Sequence, residues 1–314
     1  MSARPEDGTK PLGTLQVDVD ELWVYREAAG GTTQANASAP VYDQGIPRLL
    51  DFLDKYGIRA TFFICGRDLP VQREALREIL RRGHELANHT TSHPSSFSRL
   101  DERQKRKEIA ETHDLIVQAS GWQPIGFKSP GYSFGPDQLV ILGQLGYRYD
   151  SSIFTTPYAP ALRSLNRLLV QTDVDPTRYG RMVHGLTPQR PYRPDPKAPH
   201  RPSRQKPAPE VGVWEVPVTT MPILRIPMHS TFTLTSGKKL FDVGLALSKS
   251  RGVVINYSLH AADLIDPVDD PLLASIKFLN QPFEEKRALY EHILGRLSET
   301  YRLLPTRELL GLHN

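Results

Sequence analysis

The sequence predicts an α/β protein built on a parallel sheet that is closed, or nearly closed, into a barrel. Three observations carry this. Short apolar runs alternate with amphipathic stretches through the first half of the chain, and glycines stop the amphipathic stretches. No glycine-rich nucleotide fingerprint opens any of the helical stretches. Repeated strand-then-helix units pair their strands in parallel, and without a dinucleotide loop a barrel is favoured over a doubly wound sheet.

The elements follow in order. Residues 14–20, TLQVDVD, alternate apolar and polar side chains and end in acids, as a strand does. Residues 44–57 set Ile46, Leu49, Leu50 and Leu53 at helical spacing and stop at Gly57. The apolar run 58–66 ends at Cys65 and Gly66 and reads as a buried strand. Residues 72–83 form an amphipathic helix closed by Gly83, residues 84–89 a short strand, and residues 101–121 a helix capped by Asp101. A strand at 124–130, a helix at 135–146 and a strand at 147–152 come next. Residues 211–218 and 252–261 supply two more buried strands, and 283–301 a closing amphipathic helix. There is no internal repeat and no second core. The prediction is a single domain over 14–310, after a flexible N-terminus at 1–13, with a Pro/Arg-rich insertion at about 173–210.

Composition narrows the class. The 314 residues are 39% hydrophobic and 24% charged, ordinary for a soluble globular protein. The single cysteine, Cys65, excludes an internal disulfide framework. The polar first residues lack the apolar core of a signal peptide, and no apolar run is long enough to span a bilayer, which predicts a cytoplasmic protein. Charge is unevenly placed. Residues 176–209 hold eight Arg/Lys against one acid, Asp195, so this segment is +7 while the whole chain is +4, and the remainder is −3. No recognition helix or aromatic-bearing sheet accompanies that charge, which argues against nucleic acid. The segment is either a solvated proline-rich excursion or a surface facing an anionic substrate or membrane, which would put the protein at the inner membrane face.

In a parallel barrel the chemistry sits at the C-terminal strand ends. Asp18 and Asp20 end the first strand, and the third runs into Asn88, His89 and His93. Lys128 ends the fourth, Asp150 the fifth and His260 the last. His89 and His93 are four apart, a spacing that on a helical turn lets both imidazoles share a divalent cation. A carboxylate from the first strand would complete an open N,N,O site of the catalytic type. Asp18 and Asp20 share strand parity, so they point to one face and repel unless a cation or proton lies between them. One can hold the cation and the other act as general base. His260 emerges at the mouth of a buried strand, placed to protonate a leaving amine, with Asp150 or Asp263 to hold its other ring nitrogen.

With these residues in place, the chain resembles the metal-dependent polysaccharide deacetylases, the NodB-homology group of carbohydrate esterases. GHELANHTTSHP looks like that family's histidine motif, and LQVDVD, FKSPGYSFG, YRYDSSIF and SLHAADL occupy the other four in order, over roughly 14–305. The resemblance implies a distorted (β/α)7 barrel. It assigns Asp20, His89 and His93 to the metal, usually Zn2+, with Co2+, Ni2+, Mn2+ or Fe2+ as alternatives. It makes Asp18 the base and His260 the acid, oriented by Asp150, with Lys128 beside the base. It also puts Tyr132 near the oxyanion through its backbone N–H, and Pro130 beside it at the substrate. Trp23, just past the acids, is the candidate for stacking on a sugar ring. Three departures stand out. Val19 separates aspartates that the family has adjacent, so Asp18 and Asp20 could exchange roles. Lys128 replaces the family's arginine, and the family's export signal is not seen.

The spaced D-x-D form is similar to intracellular branches, the lipid-linked aminoarabinose deformylases and the cytosolic cyclic-imide and allantoinase-like hydrolases. The expected reaction is therefore removal of an acetyl or formyl group from an amino sugar or glycoconjugate precursor, with phosphate- and lipid-linked forms included. A cyclic imide or ureide hydrolase is the alternative, and a catalytically inactive carbohydrate-binding module the alternative of another class. His84 is expected to shape a turn, Cys65 to pack at a strand end, and Trp122 and Trp214 to lie in the core. His184 and His229 have no assigned role.

Overall fold

Seven parallel strands, in the spatial order Ile255–His260, Leu12–Val19, Thr61–Ile64, Glu85–Asn88, Gly126–Phe127, Tyr149–Asp150 and Trp214–Glu215, curl into a distorted barrel, the architecture expected from the sequence. The structure, a computed structural model, describes residues 10–32, 39–170, 176–204, 212–273 and 276–312. The strands are β1 (Leu12–Val19), β2 (Thr61–Ile64), β3 (Glu85–Asn88), β4 (Gly126–Phe127) and β5 (Tyr149–Asp150), then the antiparallel hairpin β6 (Pro194–Asp195) and β7 (Ala198–Pro202). β8 (Trp214–Glu215), β9 (Ile255–His260) and β10 (Arg302–Leu303) complete them. β10 adds in parallel to the start of β1. The helices are α1 (Leu22–Ala28), α2 (Ile46–Lys55), α3 (Arg73–Arg81), α4 (Glu102–Ser120), α5 (Gln138–Gln144) and α6 (Ala159–Val170). α7 (Ser230–Ser236), α8 (Lys238–Ser250), α9 (Phe283–Thr300) and α10 (Thr306–Leu309) follow. Closure between β8 and β9 is irregular. Thr219 N donates to the Asn256 carbonyl at 3.1 Å, and Asn256 N donates to the Thr219 hydroxyl at 2.7 Å.

Strand alternation divides β1 into two faces. Leu15, Val17 and Val19 point outward and are fully buried against α2 and α9, in one cluster with Leu49, Leu53, Ile293 and Leu297. Truncating one such leucine to alanine costs about 2–5 kcal/mol. Thr14, Gln16 and Asp18 point inward, and the barrel interior is polar. Buried polar groups are tolerated only when bonded, and these are. Ser151 Oγ donates to Gln16 Oε1 at 2.9 Å, and Asn256 Nδ2 donates to Ser151 Oγ at 3.1 Å. At the N-terminal end α10 plugs the barrel, its Thr306 and Arg307 amides donating to Thr61 Oγ1 and Glu85 Oε2.

Several sequence expectations hold closely. Asp101 caps α4 by accepting from Gln104 N at 2.8 Å, and Gly121 ends it with φ of 73°. Others shrink. The strand expected at 124–130 is only Gly126–Phe127, because Ser129 N leaves the ladder to donate to Ser152 Oγ and Pro130 has no N–H. β1 begins at Leu12, inside the segment expected to be flexible, and residues 1–9 lie outside the described residues. The insertion expected at 173–210 falls between β5 and β8. Its described part, 176–204, carries a short 3-10 turn, Met182–Leu186, and the β6–β7 hairpin, while 171–175 and 205–211 lie outside the described residues. Among the described residues no helix is long and apolar enough to cross a membrane.

Candidate metal centre

The parallel register brings the strand ends to one rim: Asp18 aligns with Phe63 and His260, Ile64 with Asn88, and Asn88 with Phe127. Asp20 follows β1 and His89 follows β3. One ligating atom from each of Asp20, His89 and His93 lies within 4.8 Å of the others. Both Nε2 atoms converge on one oxygen, Asp20 Oδ1, at 3.5 Å from His89 and 3.6 Å from His93. His89 Nδ1 sits 2.7 Å from the Lys128 carbonyl, which can only accept. The ring proton is therefore on Nδ1, and the Nε2 lone pair faces Asp20. Burial, reinforced by Arg178, pushes His93 down to about 3, so it too is neutral. Two neutral imidazoles and one carboxylate, converging in a buried place, fit a divalent transition ion with positions left for substrate and water.

The two histidines are not on a helix, as their spacing suggested. They flank a turn in which Thr90 and His93 adopt left-handed φ values of 69° and 48°. Such residues cost about 1–3 kcal/mol each unless their surroundings impose the conformation. Glu108 imposes it here. Its carboxylate accepts from Thr91 N at 2.9 Å, Ser92 N at 2.8 Å and Ser92 Oγ at 2.7 Å, while Asn88 Oδ1 accepts from Thr90 N at 2.9 Å. Glu108 lies mid-helix in α4, and the sequence carried no sign of this role.

Beside the three ligands stands an ion pair. Lys128 Nζ lies 2.6 Å from Asp18 Oδ1 and 3.2 Å from Ser258 Oγ, over the face of Phe63. Burial alone would raise Asp18, but the charge of Lys128 and its hydrogen bond hold the carboxyl below its usual range. Asp20 goes the other way, pushed up chiefly by burial. His260 Nε2 lies 4.0 Å from Asp18 Oδ2 and 3.8 Å from Asp20 Oδ2. Asp18, Asp20, His89, His93 and His260 line one opening of about 140 Å3, together with Tyr25, Ser129, Gly131, Tyr132, Arg178, His229 and Phe278.

Four expected residues sit differently. Asp150 does not reach His260. It accepts from Gln138 Nε2 and Ser152 Oγ beside Glu215, whereas His260 Nδ1 has no partner. Asp263, the alternative, accepts only the His260 backbone N–H, at 3.0 Å. Trp23 is drawn away from the opening: its Nε1 donates to Asp68 at 2.9 Å and its ring stacks under Arg67. Pro130 is buried off the opening, starting a turn whose other members line it. Tyr132 N is spent on the Ser129 carbonyl at 3.3 Å, and it is the side chain, stacked on Phe154, that enters the wall.

Among the residues without special roles His84 and Cys65 behave as expected, whereas the two tryptophans expected in the core lie at its edge. His84 Nδ1 accepts from Ala60 N, and Cys65 is buried with its thiol pushed up by burial. Trp122 and Trp214 are only partly buried, the former donating to the Leu86 carbonyl. His184 stays outside the opening, accepting from Arg181 N. His229 and Arg178 are the residues sequence reading left out. Neither ends a recognisable strand, so no pattern pointed to them.

Comparison with known proteins bears on the family and the fold. The sequence model of the polysaccharide deacetylase family matches residues 32–149. The peptidoglycan deacetylase of Helicobacter pylori is 29% identical over 147 residues, 46% of this chain and 50% of its own length. A chitooligosaccharide deacetylase of a Bradyrhizobium species is 33% identical over 104 residues, 32% of this chain and 44% of its own length. The chain thus spans half or less of the curated relatives it matches. A solved polysaccharide deacetylase structure from Mycobacterium smegmatis superposes with a TM-score of 0.53 at 19% identity, covering 88% of this chain and 85% of its own, which shows a shared fold.

Proposed function

We propose, on the premise that residues 32–149 place this chain in the polysaccharide deacetylase family, that its site hydrolyses the amide of an N-acylated amino sugar. One observation carries the reading: the Asp20–His89–His93 cluster shares an opening with His260 and with Asp18, which the buried Lys128 pairs. A divalent ion held by Asp20, His89 and His93, zinc by the chemistry of the donors, would polarise the acyl carbonyl and acidify a water. Asp18, kept ionised by Lys128, takes the proton of the attacking water. His260, with its Nε2 turned toward the same carboxylates, hands a proton to the leaving nitrogen. An opening of about 140 Å3 admits an acylamino group and leaves the rest of the sugar at the mouth. Tyr132 and Ser129 border that group from the loop after β4.

The test is acetate or formate release from a panel of N-acetyl and N-formyl amino sugars, free, nucleotide-linked and lipid-linked. The chain is stripped with a chelator and then reloaded with zinc, cobalt, nickel, manganese or iron. Release that requires the ion supports the reading. No release from any amino sugar with any ion, or turnover confined to cyclic imides and ureides in the same panel, overturns it.

A further inference from the structure

Arg178, from the basic insertion, stands in the wall of the catalytic opening without a counter-charge. Among the described residues no carboxylate lies within ion-pair distance of it, and its Nε is buried with no hydrogen bond. Arg178 itself is half-buried, whereas the buried lysines are matched. Lys128 pairs with Asp18, Lys105 with Asp137, and Lys286 donates to the carbonyls of Ile265 and Phe278. The hydroxyls of Tyr25 and Ser129, in the walls of the same opening, are also buried without partners. Native interiors leave few such groups, and a cation beside two orphaned hydroxyls lacks an acceptor.

Arg178 is held in place by its backbone. Tyr179 N donates to the Gly131 carbonyl at 2.8 Å, and Arg163 Nη1 donates to the Arg178 carbonyl at 2.8 Å. The Arg178 stem lies over Gly131, where an added Cβ would come within 3.3 Å of its Cγ. Tyr179 accepts a left-handed φ of 65° to hold this loop against the turn after β4. The guanidinium is thus positioned beside the reacting groups before any ligand arrives, 5.4 Å over the Tyr179 ring and with no carboxylate to pair it among the described residues.

We propose that Arg178 is a specificity residue that receives an acidic substituent, carboxylate or phosphate, on the N-acyl sugar. The substrate is then an acidic amino sugar or glycoconjugate and not a neutral one. The inference rests on the amino-sugar reading above and tests separately from it. N-acetylglucosamine and N-acetylmuramic acid form a matched pair, differing only by a lactyl carboxylate. N-acetylglucosamine 6-phosphate and N-acetylglucosamine 1-phosphate supply the phosphate arms.

Binding to the full chain is measured by calorimetry, and turnover alongside it, for wild type, Arg178→Gln and Arg178→Lys. At least one acidic sugar is expected to bind about ten- to a hundred-fold tighter than the neutral one, the worth of a hydrogen bond to a charged group. Which acid wins identifies the group. Arg178→Gln is expected to remove that margin, raise KM for the acidic sugar alone and leave kcat and metal content unchanged. Arg178→Lys keeps part of the margin, since a point charge replaces the fork. Equal binding of neutral and acidic sugars by wild type overturns the proposal. So does an equal loss for both in Arg178→Gln, or a fall in kcat on the neutral sugar, which would put Arg178 in the catalytic step. Acid-selective binding without acyl release would leave this inference standing and remove the hydrolase reading. Acyl release without acid preference would do the reverse.

Discussion

Two pairs of buried carboxylates stand at the C-terminal rim of the same barrel, and their surroundings are opposite. Asp18 and Asp20 face Lys128, His89, His93 and His260. Asp150 and Glu215, aligned partners on β5 and β8, face each other, Gln138, Ser152 and the amide of Ile153. In the first pair the lysine holds Asp18 below the usual carboxylate range. In the second, burial pushes Asp150 up to about 7, and burial with the Asp150 charge drives Glu215 well above its ordinary value. The second pair therefore keeps a proton at neutral pH. A carboxylate with a cation beside it can serve as a base. The pair that shares a proton here, out of reach of His260 and the three converging ligands, holds structure by tying Ser152 to the Ser129 amide and so to the loop after β4.

The largest effect should separate the pairs by activity. Asp18→Asn is expected to lower kcat about 100- to 10,000-fold, the range for a general base, with metal content unchanged. Asp150→Asn keeps one of the two acceptor oxygens that Gln138 and Ser152 use and should stay within about fivefold of wild type. Steady-state kinetics with metal analysis on both variants decides the matter. A collapse of kcat in Asp150→Asn as deep as in Asp18→Asn would mean that Asp150 reaches the reaction after all.

Metal linkage is the next largest. A cation between Asp18 and Asp20 relieves their repulsion only in the folded chain, so added zinc should stabilise by about 4 kcal/mol at a thousandfold excess over its Kd. His89→Ala should abolish that shift in the thermal midpoint, because it removes one of the three converging atoms. His260→Ala should keep both shift and metal while losing turnover. Loss of metal in His260→Ala would move that residue from acid to ligand.

The contrast between the pairs also marks where the sequence stops being legible. The strand ends were readable because parity and apolar runs fix which residues reach the rim, and Asp18, Asp20, His89, His93 and His260 do meet at one opening, with Lys128 paired to Asp18. What faces each residue across the barrel was not readable. Asp150 lies at a strand end like Asp18, but its neighbour in the sheet is Glu215, some sixty positions away, and no local pattern announces it. Trp23 failed for the same reason: Asp68, on a different unit, claims its indole N–H. The His89–His93 spacing pointed to the right pair through the wrong geometry, because Glu108 builds the turn from a helix whose sequence gives no hint of it. The insertion was visible as charge alone, and only the three-dimensional arrangement singles out Arg178 from eight basic residues.

The smallest effect is a matter of pH and stability. The folded state raises Asp150 from 3.8 to about 7, so between those values the native chain binds more protons than the unfolded one. Stability from the second pair is then full below pH 4 and lost as pH rises toward 7, by about 1.4 kcal/mol per unit of pH while one proton is at stake. His84, lowered to about 4 by burial, contributes with the opposite sign, gaining stability as pH rises from about 4 toward 6.5. That term is common to variants of the pair and cancels between them. Glu215→Gln gives Asp150 an amide donor in place of a competing carboxyl, which lets Asp150 ionise. The unfolding free energy from urea curves should therefore fall between pH 5 and 7 by about 2–3 kcal/mol more in wild type than in Glu215→Gln. Equal slopes would show that the two carboxylates do not share a proton, and the distinction between the pairs would then have to rest on Lys128 alone.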